Sequence, residues 1–91
     1  MKKVLVTTKL LKSNEDRISK IWDAKLNLNN ETYTENKLVE MSKDCDGILT
    51  SILDKIDKKT INRLSDKVKI ISNFAVGFGN IDIEAASERN I

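Results

Sequence analysis

Short β-branched runs alternate with helix-period segments along the whole chain, and no other feature of the sequence restricts the fold as much. Lys3–Thr8 (KVLVTT), Asp46–Thr50 (DGILT) and Val68–Phe74 (VKIISNF) read as buried strands, the last with the near-continuous apolar content of a central parallel strand. Lys25–Asn29 (KLNLN) alternates polar and apolar residues, as a half-exposed edge strand does. Between these runs lie helical patterns. Ser13 or Asn14 is placed to cap a helix running to about Trp22, with Ile18, Ile21 and Trp22 on its apolar face. Thr34 is placed to cap a second helix, with Leu38, Met41 and Cys45 turned inward. Asp57 heads a third with Ile61 and Leu64 inward, and Asp82 a fourth in which Ala85 and Ala86 allow close packing. Asn90 falls where a left-handed residue ends a helix. The order is β-α-β-α-β-α-β-α, spaced for right-handed crossovers, which predicts an α/β protein with a parallel sheet. A fifth strand would be expected to begin at Ile91, so the chain reads as cut short.

Composition narrows the chemistry. The chain has 91 residues, enough for one small domain, and contains no histidine and a single cysteine. It therefore lacks the commonest general acid/base and zinc ligand, and it has neither a Ser-His nor a Cys-His nucleophile pair. No metal site is expected. Cys45 has no cysteine to pair with and reads as a buried structural thiol in a reducing compartment. A formal charge of +2, with lysines spread along the chain, gives no footprint for nucleic acid or an anionic membrane. The opening MKKVLVTTKLLK is broken by Thr7, Thr8 and Lys9 and has no signal-peptide core, so a cytoplasmic location is expected.

The one place where two glycines sit close together is NFAVGFGNID, residues 73–82. It follows a strand, where open parallel sheets gather their ligands. The loop lacks both phosphate fingerprints. Three residues past Gly79 comes Asp82, not a small residue, and no G-K-[ST] follows. On these ten residues the loop is a tight strand-to-helix turn or a nest for a small carboxylate, with a nucleotide the poorest fit. A second candidate loop, Leu49–Ile56 (LTSILDKI), offers Leu53 as an apolar wall and Thr50 and Ser51 as hydroxyls, or simply feeds the next helix. Asp54 and Lys55 read as a solvated charge pair.

Taken together, KKVLVT, DGILT with its continuation LTSILDKID, and VKIISNFAVGFGNIDIEAASERNI resemble the N-terminal part of the D-isomer-specific 2-hydroxyacid dehydrogenases, nearest the glyoxylate/hydroxypyruvate reductase branch. The resemblance spans the whole chain and is weakest over residues 13–45. It implies a flavodoxin-like parallel sheet, strand order 2-1-3-4-5, with helices on both faces and truncated before the cofactor-binding domain. It also implies that the backbone amides of Val76 and Gly77 bind the carboxylate of a small 2-oxo acid. Leu53 and the aromatic Phe78 would line the same pocket. The sequence departs from the family pattern at Gly79, where Asp is frequent, and at Asn90, where Gly is usual. The family's G-x-G-x-x-G motif and its catalytic arginine, glutamate and histidine have no counterparts here. No catalytic residue is therefore assigned. NAD or NADP is expected in the complete enzyme, none is expected to bind this segment, and the segment by itself is expected to be inactive.

Two other readings compete. A stand-alone flavodoxin-like module needs an acidic pair or a Thr/Ser-rich phosphate loop after the first strand, where Thr7-Thr8-Lys9 and Lys9-Leu10-Leu11 stand. A non-catalytic remnant that self-associates, as a homodimer, would use apolar surface left uncovered by a short sheet.

Overall fold

A computed structural model describes residues 1–51, 54–74 and 79–91. Its elements alternate as the sequence predicts: β1 (Lys3–Val6), α1 (Lys12–Ile21), β2 (Asp23–Lys25), α2 (Glu35–Ser42), β3 (Gly47–Ser51), α3 (Lys58–Arg63), β4 (Ile70–Phe74) and α4 (Ile83–Glu88). Among the described residues the sheet order is β2-β1-β3-β4, and every neighbouring pair is parallel. The chain thus changes direction across the sheet between β1 and β3, the arrangement that opens a crevice beyond the carboxyl ends of those strands.

The register sorts side chains by face. Val4 pairs with Gly47 and Gly47 with Ile70, while Leu5 pairs with Ile48 and Ile48 with Ile71. Because successive residues of a strand point to opposite sides, the row Leu5–Ile48–Ile71 faces one way and the row Val4–Gly47–Ile70 the other. The first row packs with Leu38 of α2, Ile61 of α3 and Ala85 and Ala86 of α4, joined by Cys45, Ile56, Leu64 and Val68. That is the core. Among the described residues, the second row faces α1 and its C-cap Trp22. Ile18 and Trp22 stand over Val4, Leu49 and Ile70 across an open groove of about 520 Å³.

Three helices begin as expected. The side chains of Thr34, Asp57 and Asp82 accept from the backbone N–H of Lys37, Thr60 and Ala85, satisfying donors that a helix start leaves free. Asn90 has φ 61°, the left-handed conformation expected of it. Cys45 is fully buried, and burial pushes its thiol pKa upward.

Three expectations need correction. Helix α1 starts at Lys12, so Ser13 and Asn14 lie inside it. Leu11 is the N-cap and contributes no side-chain bond; its carbonyl accepts from the N–H groups of Asn14 and Glu15. The buried residue of α1 is Glu15, held by Lys9 Nζ at 2.5 Å, whereas Ile21 is 58% exposed. Strand β2 is Asp23–Lys25 and shares only Lys25 with the expected Lys25–Asn29, because pairing runs from Lys3–Asp23 to Leu5–Lys25 and then stops. Strand β4 is the edge among the described residues, and its Ile70 is 62% exposed.

Charges collect at the amino ends of the strands. Asp44 accepts from Lys3 Nζ at 3.0 Å and from Lys25 Nζ at 2.6 Å, and the Asp46 carboxylate accepts from the backbone N–H of Lys3 at 2.8 Å. Hydrogen bonds from Lys25 and then Lys3 hold the Asp44 carboxyl well below the usual carboxylate range. The Lys3 N–H likewise lowers Asp46, and the bond to Asp44 raises Lys3.

Candidate functional site

At the opposite, carboxyl ends of the strands the polar groups are buried and mostly uncharged. Thr7 follows β1 and is 4% exposed. Its N–H donates to the carbonyl of Leu49 at 3.0 Å, continuing the β1–β3 ladder for one residue. Its hydroxyl bonds the carboxylate of Asp54 across the crevice. Asp54, 6% exposed, also accepts from the N–H of Ser51 at 2.9 Å and from the Ser51 hydroxyl at 3.3 Å. The solvated Asp54–Lys55 pair expected from the sequence is therefore not what forms. Asp54 turns inward to organise the β3–α3 connection, and Lys55 stays exposed.

Asn27, 4% exposed, holds the third side of this corner. Its amide donates to the carbonyls of Thr7 at 2.8 Å and Glu31 at 2.7 Å, and its Oδ1 accepts from the N–H of Glu31 at 2.9 Å. Thr7, Thr8, Asn30, Glu31, Ser51 and Asp54 are among the residues lining a small polar cavity of about 60 Å³ there, at the switch point between β1 and β3.

The β4 end is tied in by asparagines. Asn73 Nδ2 donates to Asn80 Oδ1 at 2.9 Å, and Asn80 Nδ2 lies 3.0 Å from the carbonyl of Ser51 and 2.9 Å from that of Asp54. Main-chain bonds close the junction: Ile56 N–H to Asn80 O and Asp82 N–H to Ile56 O, both 2.8 Å. Thr50 Oγ1 lies within reach of Asn73 Oδ1 at 3.0 Å and Ser72 O at 3.3 Å. The hydroxyls of Thr50 and Ser51, expected to face a ligand, are both engaged internally.

Leu53, Val76, Gly77 and Phe78, the residues to which the sequence assigns substrate contact, lie outside the described residues. The residues bracketing them are described: Ser51 and Asp54 on one side, Asn73, Phe74 and Asn80 on the other. Gly79 has open space where a Cβ would stand and does not need positive φ, so its turn does not require glycine. That fits the frequency of Asp at this place in the family pattern. Among the described residues no group of three or more Cys, Asp or Glu side chains converges to hold a metal. None of the described helices is long and apolar enough to cross a membrane.

Comparison with known proteins places this geometry. The family model for the catalytic domain of D-isomer specific 2-hydroxyacid dehydrogenases matches residues 4–91. The chain belongs to that family. A glyoxylate reductase from Thermococcus litoralis is 33% identical over 89 residues, covering 98% of this chain and 27% of the relative. A glycerate dehydrogenase from Hyphomicrobium methylovorum is 29% identical over 90 residues, covering 99% and 28%. The NAD⁺-bound 3-phosphoglycerate dehydrogenase of Entamoeba histolytica superposes with a TM-score of 0.79 at 28% identity, over 99% of this chain and 31% of that one. The chain thus spans little more than a quarter of the length of the curated relatives it matches.

The bonding roles of Asn27, Asn73 and Asn80 and the burial of Asp54 were missed by sequence reasoning. Their only signal was an apolar-strand ending followed by Asx or Ser/Thr, a pattern shared by many loops that do nothing further.

Proposed function

We propose that this chain is the N-terminal, substrate-binding part of an NAD(P)-dependent oxidoreductase that reduces a small 2-oxo acid, glyoxylate or hydroxypyruvate, to the 2-hydroxy acid. The observation that carries the reading is the parallel pairing of β3 with β4, which brings the described residues flanking 52–53 and 75–78 to one end of the sheet, within a family whose relatives include glyoxylate reductases. The substrate carboxylate is bound by the backbone N–H groups of Val76 and Gly77, with Leu53 and Phe78 forming the apolar wall. Successive main-chain amides suit a carboxylate because they supply donors without a competing counter-charge. The described polar side chains Thr7, Asn27, Asp54 and Asn80 at the crevice bond to one another's connections.

NAD or NADP would supply the hydride when bound in the complete enzyme. The described residues do not fit a dinucleotide. The turn at Gly79 needs no close backbone approach, and Asp82 caps the following helix where a diphosphate would meet its charge. The chain by itself is inactive as a reductase.

The test is an amide-resolved NMR titration with oxamate, a 2-oxo-acid mimic. Shifts centred on Val76, Gly77 and Leu53 are expected. Well-dispersed spectra without a response at those amides would sink the carboxylate assignment. A second reading, self-association as a homodimer, draws on the groove lined by Val4, Leu49, Ile70, Ile18 and Trp22. Diffusion coefficients measured on the same samples over a concentration series decide it, since a concentration-independent monomer excludes it.

A further inference from the structure

One side chain, Asn80, touches both residues that bracket residues 52–53 and also Asn73, which precedes residues 75–78. Residues 52–53 are bracketed by Ser51 and Asp54, and the carbonyls of both lie within 3.0 Å of Asn80 Nδ2. Residues 75–78 run between Phe74 and Gly79, and Asn73 and Asn80 flank that stretch. These two asparagines face each other, with Asn73 Nδ2 donating to Asn80 Oδ1 at 2.9 Å and Asn80 Nδ2 lying 3.2 Å from Asn73 Oδ1. A primary amide is the one side chain that can do both, since it carries two donor hydrogens and an acceptor oxygen on a short stem. Aspartate keeps the acceptor and loses both donors. Alanine loses everything.

Asn80 also sits in the backbone junction, where its carbonyl accepts from Ile56 and a short parallel bridge joins Ile56 to Ile81. The β3–α3 and β4–α4 connections are thus joined twice, by a main-chain bridge and by one amide. We propose that Asn80 is a positioning residue that fixes the spacing between these connections and, through it, the anion pocket. The part concerning the ligand rests on the function proposed above; the part concerning the two connections does not.

The experiment compares the unaltered chain with Asn80→Ala and Asn80→Asp, the near-isosteric change serving if the alanine variant fails to fold. Amide hydrogen exchange without ligand is followed at Ile56 and Asp82, and oxamate affinity by NMR titration. Exchange at Ile56 and Asp82 is expected to quicken about tenfold in Asn80→Asp while amides inside β1 and β3 hold their rates. Oxamate binding is expected to weaken by about tenfold. A core variant, Ile61→Val, is expected to lower stability and leave oxamate affinity unchanged, which separates positioning from general loosening. Unchanged exchange in the variants overturns the proposal whatever oxamate does. Faster exchange with unchanged oxamate affinity overturns its link to the pocket. If the unaltered chain ignores oxamate while the variants exchange faster, the reading of the ligand falls and the positioning of the two connections stands.

Discussion

The two ends of the sheet solve the same problem in opposite ways. Strands leave polar backbone at both ends, and both ends of this sheet gather side chains to meet it. At the amino end the side chains are charged and wet: Lys3, Asp44 and Asp46, joined by the ammonium of Lys25 reaching over from the end of β2, with the Asp44 side chain 45% exposed. At the carboxyl end they are buried and, apart from Asp54, neutral: Thr7, Asn27, Thr50 and Ser51, none more than 6% exposed. A wet ion pair tolerates small displacements and is weakened by salt. A buried hydrogen bond tolerates neither displacement nor loss of a partner, because water cannot replace what is missing. The end to which the proposed ligand contacts belong is the end built of the intolerant kind.

Breaking the carboxyl end should therefore have the largest effect. Asp54→Ala removes the buried carboxylate that accepts from the hydroxyl of Thr7 and from the N–H and hydroxyl of Ser51. A loss of about 2–4 kcal/mol of stability is expected in urea unfolding, with little dependence on salt. A loss as small as that of an exposed carboxylate would end the contrast between the two ends.

At the amino end the expected effect is smaller and follows pH. The Asp44 and Asp46 carboxyls titrate below their unfolded value, so their stabilisation is present above about pH 4 and is lost as pH falls through the folded values. Lys3 works in the other direction. Its raised pKa gives stabilisation that is full below about pH 10 and disappears at higher pH. Asp44→Asn should flatten the acid limb of a stability-versus-pH curve and reduce its dependence on salt. An unaltered acid limb would show that Asp44 contributes nothing measurable. The smallest change is expected at Gly79. Gly79→Ala meets open space and no left-handed backbone, so stability should stay level or rise by about 0.4–1 kcal/mol. A clear loss in thermal unfolding would mean that this turn needs glycine after all.

Local signals explain how much of this was legible beforehand. The caps at Thr34, Asp57 and Asp82 and the left-handed Asn90 are decided by a few neighbouring atoms, and a sequence displays those directly. The parallel order followed from the alternation of elements. What was misread depended on distant partners. KLNLN alternates like a strand, yet Asn27 turns its amide to Thr7, twenty positions away, and the chain bends there, leaving Leu28 61% exposed. Asp54 beside Lys55 looked like a surface pair because nothing local announced that Thr7 would arrive against it. The candidate ligand residues were legible only through family resemblance. Two glycines after a strand do not by themselves distinguish an anion nest from a turn.

The groove on the α1 side of the sheet has a consequence for observation. Trp22 is the only tryptophan in the chain, it lines that groove, and it is 39% exposed. Its indole is thus a built-in optical gauge of one particular surface. Whatever closes over Val4, Leu49 and Ile70 must change the polarity around this ring, and emission from a single fluorophore carries no other tryptophan's signal to obscure it. The same side chain that leaves the face half-covered makes its covering visible.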